Sequence, residues 1–263
     1  MDIFLVLGII IGALAVVVGM YVKGADVAIL LNPAAAIIII IGTLAAVMNS
    51  FPKKEFLNIP NIIKALFFEK KKDDPVETIE ILTNMAQQAR KEGLLSLESA
   101  ANDINNPFLK RGLGMVVDGV DHNYIKDVLE IEIECMEERH RAGAAVFSCA
   151  GSYAPTLGVL GAVIGLIGAL GNLKDTERLG HMISAAFVAT LYGIFLGYVI
   201  CHPISSRLKR KSAEEVDNMR IALEGILSIQ AGENPRSIRT KLIGMLDPKE
   251  SKKLEQYEVR KDE

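Results

Sequence analysis

The sequence predicts an all-α integral membrane protein with four transmembrane helices in two hairpins, a helical cytoplasmic domain and a helical C-terminal tail. Three observations lead there. First, the stretches Ile3 to Val22, Val27 to Asn49, Ala142 to Leu173 and Met182 to Cys201 contain no Asp, Glu, Lys, Arg or His. At about 1.5 Å of rise per residue, each is long enough to cross a hydrocarbon core of about 30 Å. Second, half of the 263 residues are hydrophobic and mean hydropathy is +0.29, too apolar for an ordinary soluble domain. Third, the charged residues collect between the stretches, in Lys53 to Arg141 and from Arg207 onward, and no strand pattern competes with the helical one.

These observations divide the chain into four parts. A hairpin occupies 1–50, with spans at about 3–22 and 27–49, and a cytoplasmic helical domain with an interfacial helix occupies 51–141. A second hairpin occupies 142–206, with spans at about 142–173 and 182–203, and cytoplasmic C-terminal helices occupy 207–263. The start Met1-Asp2-Ile3 lacks a positive n-region and no clean cleavage site follows, so the first span is expected to stay in the mature protein. Lys53, Lys54, the run Lys70-Lys71-Lys72, Arg207 and Lys209 to Lys211 flank the large polar segments. The positive-inside rule therefore puts both segments, and both termini, in the cytoplasm.

Element by element, Ile59, Ile62, Ile63, Leu66 and Phe67 recur at helical spacing beside Lys53, Lys54 and Lys64, which reads as a short amphipathic helix on the inner leaflet. Lys70 to Pro75 is a charged break. Pro75 opens a helix that runs through Ile79, Leu82 and Met85 to Arg90 and stops at Gly93. Ser96 is the expected N-cap of the next helix, with Glu98 in its first turn. Arg90 and Glu98 then stand on either side of a helix-to-helix corner. From Asn123 no breaker interrupts Ile125, Leu129, Ile133 and Met136 before the third span, so one very long helix is expected, with Gly151 and Pro155 the places for a bend. The fourth span continues likewise past Arg207, with Val216, Met219, Leu223 and Ile226 on one face. Gly232 and Pro235 interrupt it, a short helix covers Ile238 to Leu246, and a frayed tail follows Pro248.

Within the spans, Gly161 and Gly165 form a GxxxG pair beside Gly158 and Gly168, a spacing that lets backbones approach either within the chain or between subunits. Pro155 and Pro203 each remove an N–H and free a carbonyl, which must find a partner or line a wet cavity. Thr190 bonds its own i−4 carbonyl, that of Ala186, or, with Thr156, offers an oxygen to an ion or to a partner's carboxylate. Cys135, Cys149 and Cys201 have no metal spacing and read as small apolar fillers. A carrier or relay needs an ionisable group inside the membrane, so if ions cross here another chain supplies it. An intramembrane enzyme needs a nucleophile or metal ligands at that depth; His140, His181 and His202 lie instead at the membrane edges and His122 in the cytoplasm. A net charge of −3 gives no nucleic-acid signal.

The order of these parts, together with five sequence pieces, resembles the A subunit of the flagellar motor stator, the MotA/PomA family. The pieces are Asn32 to Ala35, Arg90 to Glu98, Ser152 to Gly158 with Gly161 and Gly165, Ala189 to Gly193, and Pro203 ahead of Lys211 to Glu214. The resemblance covers nearly the whole chain. It implies a ring of five such chains around two copies of a MotB/PomB-type B subunit, whose single span carries an essential Asp. It also implies a bacterial inner-membrane location, no cofactor, and H⁺ or Na⁺ as the transported ion. Arg90 and Glu98 match the charged pair that engages the rotor's switch-complex protein. Pro155, Thr156, Gly158, Ala162, Thr190 and Pro203 match the ion pathway and B-subunit interface, with Thr190 facing the partner's Asp. Sodium-driven relatives carry a Thr where this chain has Ala162, so the proton is the expected ion. The nearest rival, a TolQ/ExbB-like energiser, usually has three spans, whereas this chain opens with a full hairpin.

Overall fold

A computed structural model describes residues 3–67, 74–171, 173–248 and 251 of the chain. The Lys70-Lys71-Lys72 run and nearly all of the tail past Pro248 lie outside them. Among the described residues, four helical stretches are long and apolar enough to cross a membrane: Ile3–Val22, Val27–Ser50, and apolar windows within His122–Leu170 and Thr176–Gln230. By contact the chain forms two compact units. One is Met1–Lys70 with His140–Arg210, the other Lys71–Arg139 with Lys211–Glu263.

In the first unit, helix α1 (Ile3–Val22) has no fully buried residue: one face packs through Leu5 on the Leu66, Phe147 and Ile204 cluster and through Gly12 on Val199, while Phe4, Leu7, Ile11, Leu14 and Val18 are exposed. The second span is not one helix from Val27. A 3-10 turn at Val27–Leu30, capped by Asp26, is followed by a break at Leu31 and Asn32 before α2 (Pro33–Ala36) begins. The cause is local. Proline disfavours helical backbone in the residue before it, so Asn32 takes φ −112° and its side chain caps the new helix by accepting from the Ala35 N–H. A π-turn at Ile37–Ile41 leads into α3 (Gly42–Ser50). Then α4 (Lys53–Leu57) and α5 (Ile59–Phe67) follow, and α5 puts Leu66, with Ile59 and Ile62, against Phe147 and Ile204 of the third and fourth spans.

The second unit is built on α6 (Pro75–Glu92), capped by the Asp74 side chain, and on α7 (Leu97–Asp103) and α8 (Pro107–Val117), the last capped by Asn106. Helix α9 (His122–Leu170) is continuous over 49 residues with Pro155 inside it. Across a turn, α10 (Thr176–Ile194) starts on the Asp175 cap and passes through a π-turn at Phe195–Cys201 into α11 (His202–Gln230). Helix α12 (Pro235–Ile243) ends the regular structure. Ile79 and Leu82 of α6, Leu113 of α8, Leu129 of α9, Ile226 of α11 and Leu242 of α12 are fully buried in one apolar core. The legs carried by α9 and α11 meet in it through Ile125, Leu129, Val216 and Ile226. The Gln230 amide ties their ends, donating to the Val120 carbonyl at 2.6 Å and meeting His122 Nδ1 at 3.1 Å.

Of the three cysteines, Cys201 is buried and Cys149 partly so. Cys135 stands exposed on α9 and fills no apolar gap, because its position on the helix turns away from the face that carries Ile133 and Met136.

Candidate functional site

The exposed corner predicted between Arg90 and Glu98 is present and tightly built. Gly93 ends α6 with φ +86°, a left-handed value that glycine adopts without a Cβ clash. Ser96 holds the N-cap position of α7, with Glu98 in the first turn, but its side chain makes no capping bond. It lies in a 3-10 turn over Leu94–Ser96 with helical φ/ψ, and its hydroxyl donates back to the Gly93 carbonyl at 2.7 Å. The Gln88 amide donates across to the Ser96 carbonyl at 2.8 Å. These two bonds hold the corner shut. Arg90 and Glu98 are both exposed and make no ion pair with any described residue, so their charges remain available to another molecule.

In the membrane unit, α9 and the helical run from α10 through the π-turn meet backbone to backbone. A Cβ on Gly158 would stand 3.0 Å from the Ala189 carbonyl and 3.2 Å from the Cα atoms of Thr190 and Gly193. One on Gly165 would stand 2.9 Å from the Ala186 Cβ, and one on Gly161 3.0 Å from the Ala189 Cβ. The small-residue stripe of the third span is therefore consumed within the chain, by the fourth span. The fourth span answers with its own pair, Gly193 and Gly197. A Cβ at Gly193 would reach the Ala154 carbonyl at 2.5 Å, and one at Gly197 would reach the Gly151 carbonyl at 2.5 Å and Pro155 Cγ at 2.9 Å. Gly193 and Gly197 were missed in the sequence, although their four-residue spacing is the same signal that was read on the third span.

This contact also shows what becomes of the carbonyl that Pro155 frees. Without an N–H at residue 155, the Gly151 carbonyl loses its helical partner, and Gly197 turns its bare Cα towards that oxygen. Pro203 lies in the second residue of α11, immediately after the π-turn. There the His202 N–H reaches back five residues to the Gly197 carbonyl. The fourth span thus changes its hydrogen-bond register between Thr190 and Pro203, where a proline could not have continued it. Such π segments occur mostly as single turns inside α-helices, frequently at functional sites.

Thr190 is partly buried, and its hydroxyl points at the Ala186 carbonyl at 3.5 Å, a distance at the weak end of bonding. Its oxygen is held only loosely by its own helix. Thr156 is exposed and donates to the Tyr153 carbonyl at 2.7 Å. Ala162 is partly buried one helical turn past Gly158 and brings no oxygen. Pro155, Gly158 and Thr190 come together at the contact of the third and fourth spans, while Ala162 extends the same helix away from Pro155 and Pro203 lies towards Lys211. A further latch had no sequence signal: the Tyr192 hydroxyl donates to the Leu30 carbonyl beside the break in the second span. It fixes that break against the apolar cluster of Ala35, Ile39, Ala154 and Ala189.

Two family models match, a "Motility protein A N-terminal" model over residues 6–93 and a "MotA/TolQ/ExbB proton channel family" model over residues 100–221. Motility protein A of Bacillus subtilis is 49% identical over 264 residues, spanning 100% of this chain and 98% of that one. The chain belongs to the motility protein A family. A structure of the flagellar MotAB stator complex from Bacillus subtilis superposes with a TM-score of 0.89 at 50% identity, over 94% of this chain and 97% of the other. A structure of C. jejuni MotAB gives the same TM-score at 32% identity with the same coverage. The model over 6–93 covers the opening hairpin that set this chain apart from the TolQ/ExbB plan, and these two structures are of MotAB. The four apolar helices and these matches make it an inner-membrane protein.

Proposed function

We propose that this protein is the A subunit of a flagellar motor stator, which with a B subunit converts proton-motive force into torque on the rotor. The observation that carries the reading is the wall at the contact of the third and fourth spans. Pro155, Gly158 and Thr190 meet there within stretches that hold no Asp, Glu, Lys, Arg or His. Such a wall is fitted to receive an acid from another chain. In this reading five copies surround two B subunits, each with a single span bearing an Asp. A proton binding to that Asp neutralises it and lets it pass the apolar wall. Discharge towards the cytoplasm restores the charge, and repeated steps turn the ring about the anchored B dimer. One charge crossing 100 mV releases about 2.3 kcal/mol, so the interface must move with little friction. The outward-facing apolar surface of α1, with no polar group to drag, suits a ring.

Both termini and both large polar segments lie in the cytoplasm, where Arg90 and Glu98 engage complementary charges on the rotor's switch protein. Ala162 withholds one oxygen from any Na⁺ site, while a proton needs only the carboxylate and water. The test is co-expression with the cognate B subunit in a motile host stripped of its own stator. Restored swimming, lost when Pro155 or Pro203 is replaced at normal membrane levels, supports the reading. Normal swimming with either proline replaced would sink the role given to it, and no swimming from the unmodified pair would sink the function.

A further inference from the structure

We propose that the exposed faces of α4 and α5, with the start of α11, form a binding site for anionic phospholipid headgroups of the inner leaflet, resting on the orientation read above from the flanking charges. Packing fixes the level of this site. Ile59, Ile62 and Leu66 of α5 share one apolar cluster with Leu5 of α1, Phe147 of α9, and Ile204 and Leu208 of α11. The Ile62 Cδ1 atom is 2.9 Å from where a Cβ of Gly143 would be. One residue on, the Ala144 carbonyl accepts from the Ser205 hydroxyl at 2.8 Å, which joins α9 and α11 at the same level. That level is where both helices pass from uncharged to charged sequence, at Arg141-Ala142 and Ser206-Arg207. Helix α5 is therefore pinned at the membrane edge.

Each short helix then sets a cation beside exposed apolar surface. On α4, Lys53 and Leu57 are four residues apart and share a face, and Leu57 is 61% exposed. On α5, exposed Ile63 flanks the buried stripe and Lys64 follows it. The charge is one-sided as well. Residues 51–67 and 202–210 hold six Lys or Arg and one acid, Glu55. In the connections at the other end of the spans, Lys23, Lys174 and Arg178 are cancelled by Asp26, Asp175 and Glu177. Lys53, Lys54, Lys64, Lys209 and Arg210 are exposed and make no ion pair with any described residue. Orienting a chain asks only for positive charge. It does not ask for two helices pinned at the membrane edge with alkyl surface left beside each cation.

An anionic phospholipid meets both demands. Its phosphate accepts from the lysine ammonium groups while its acyl chains cover Leu57 and Ile63. A zwitterionic lipid brings the same chains and no net charge. Near a membrane surface the preference multiplies with each cation, so Lys53, Lys54 and Lys64 together favour the anionic lipid by roughly a hundredfold. Lipid held there ties α4 and α5 to the leaflet and steadies the Leu66, Phe147 and Ile204 cluster beneath α5.

The experiment places the full chain with its B subunit in nanodiscs of phosphatidylcholine, alone or mixed with phosphatidylglycerol. Retained lipid is weighed by native mass spectrometry and stability is read by thermal melting. The wild-type complex is expected to retain phosphatidylglycerol in preference and to melt several degrees higher where it is present. The triple variant Lys53→Gln, Lys54→Gln, Lys64→Gln is expected to lose that preference by roughly a hundredfold. It is also expected to lose the melting increment, while melting as wild type does in phosphatidylcholine alone. Lys23→Gln, Lys174→Gln, Arg178→Gln, an equal loss of charge at the other end of the spans, is expected to keep both. Equal retention of the two lipids by wild type overturns the proposal, as does a preference that the first variant keeps or the second also loses. The same increment from inorganic phosphate in phosphatidylcholine discs overturns the lipid as occupant. Salt tests the site without any variant: at about 1 M, where the Debye length is about 3 Å, the wild-type preference is expected to shrink, and an unmoved preference refutes the headgroup contact. Discs present both leaflets alike, so these results do not depend on orientation, which fails separately if protease outside intact cells cuts within residues 51–67.

Discussion

Gly197→Ala puts one methyl group where the third and fourth spans touch. Its Cβ would lie 2.5 Å from the Gly151 carbonyl oxygen and 2.9 and 3.0 Å from Cγ and Cδ of Pro155. None of these atoms is the free end of a flexible side chain. The oxygen belongs to the backbone of α9 and the carbons to a closed ring, so relief requires the helices to part. Overpacking of a filled interior costs about 1–3 kcal/mol, and a rigid neighbour puts this site in the upper part of that range. The replacement recovers up to about 1 kcal/mol through helix propensity. The net is about 2 kcal/mol against the observed pairing, or a shift of roughly thirtyfold at 1.4 kcal/mol per factor of ten. Gly180→Ala is the control, since a Cβ there meets nothing within 4 Å. Both variants, purified with the B subunit, are compared by thermal melting and by rotation of tethered cells. Gly197→Ala is expected to melt several degrees lower and to lose most torque, with Gly180→Ala unchanged in both. Equal behaviour of the two would refute the backbone-contact reasoning for this pair of spans.

Charge reversal at Arg90 or Glu98 is expected to impair rotation without changing membrane levels or ion flow, and reversal of a complementary rotor charge is expected to restore it. Absence of any allele-specific rescue across the rotor's charged residues counts against that contact. Swimming is expected to persist when sodium is replaced, provided membrane potential is maintained, and collapse under those conditions would transfer the coupling role to Na⁺. In the second unit, the Lys241 ammonium is held above its ordinary range chiefly by its hydrogen bond to the Glu224 carboxylate, with Glu233 at 3.5 Å adding to it. A raised folded value means the contribution is complete below the ordinary lysine range and is lost as pH rises through the folded value. The melting difference between wild type and Lys241→Met is therefore expected to stay constant through neutral pH and to shrink only in strong alkali; a difference that shrinks already at neutral pH would refute this.

Much of the architecture was open to reading because the membrane constrains sequence so strongly. A backbone crossing lipid must satisfy its own hydrogen bonds, so an uncharged run of twenty residues has few alternatives to a helix. The stop at Gly93, the start at Pro75 and the unbroken passage from the polar leg into the third span were visible for equally local reasons. Ser96 shows the limit of that method. Its residue type suits a cap, yet two bonds within the corner favour a 3-10 turn, and Ser96 donates its hydroxyl backwards instead. The break at Asn32-Pro33 was written in the proline, but apolar composition on both sides concealed it.

What the sequence determined by itself was the set of spans, their pairing into hairpins and the family to which five short pieces point, because hydropathy, helix punctuation and motif spacing are all local. Which surfaces those spans use was decided only in three dimensions. The glycine stripe of the third span could have faced another subunit, and the structure spends it on Met182, Ala186, Ala189, Thr190 and Gly193 of the fourth. The carbonyl freed by Pro155, the Tyr192 latch on Leu30 and the seat of His202 on Gly151 likewise join residues far apart in the chain. How closely such residues approach depends on how whole helices pack. No periodicity along one strand of sequence encodes them.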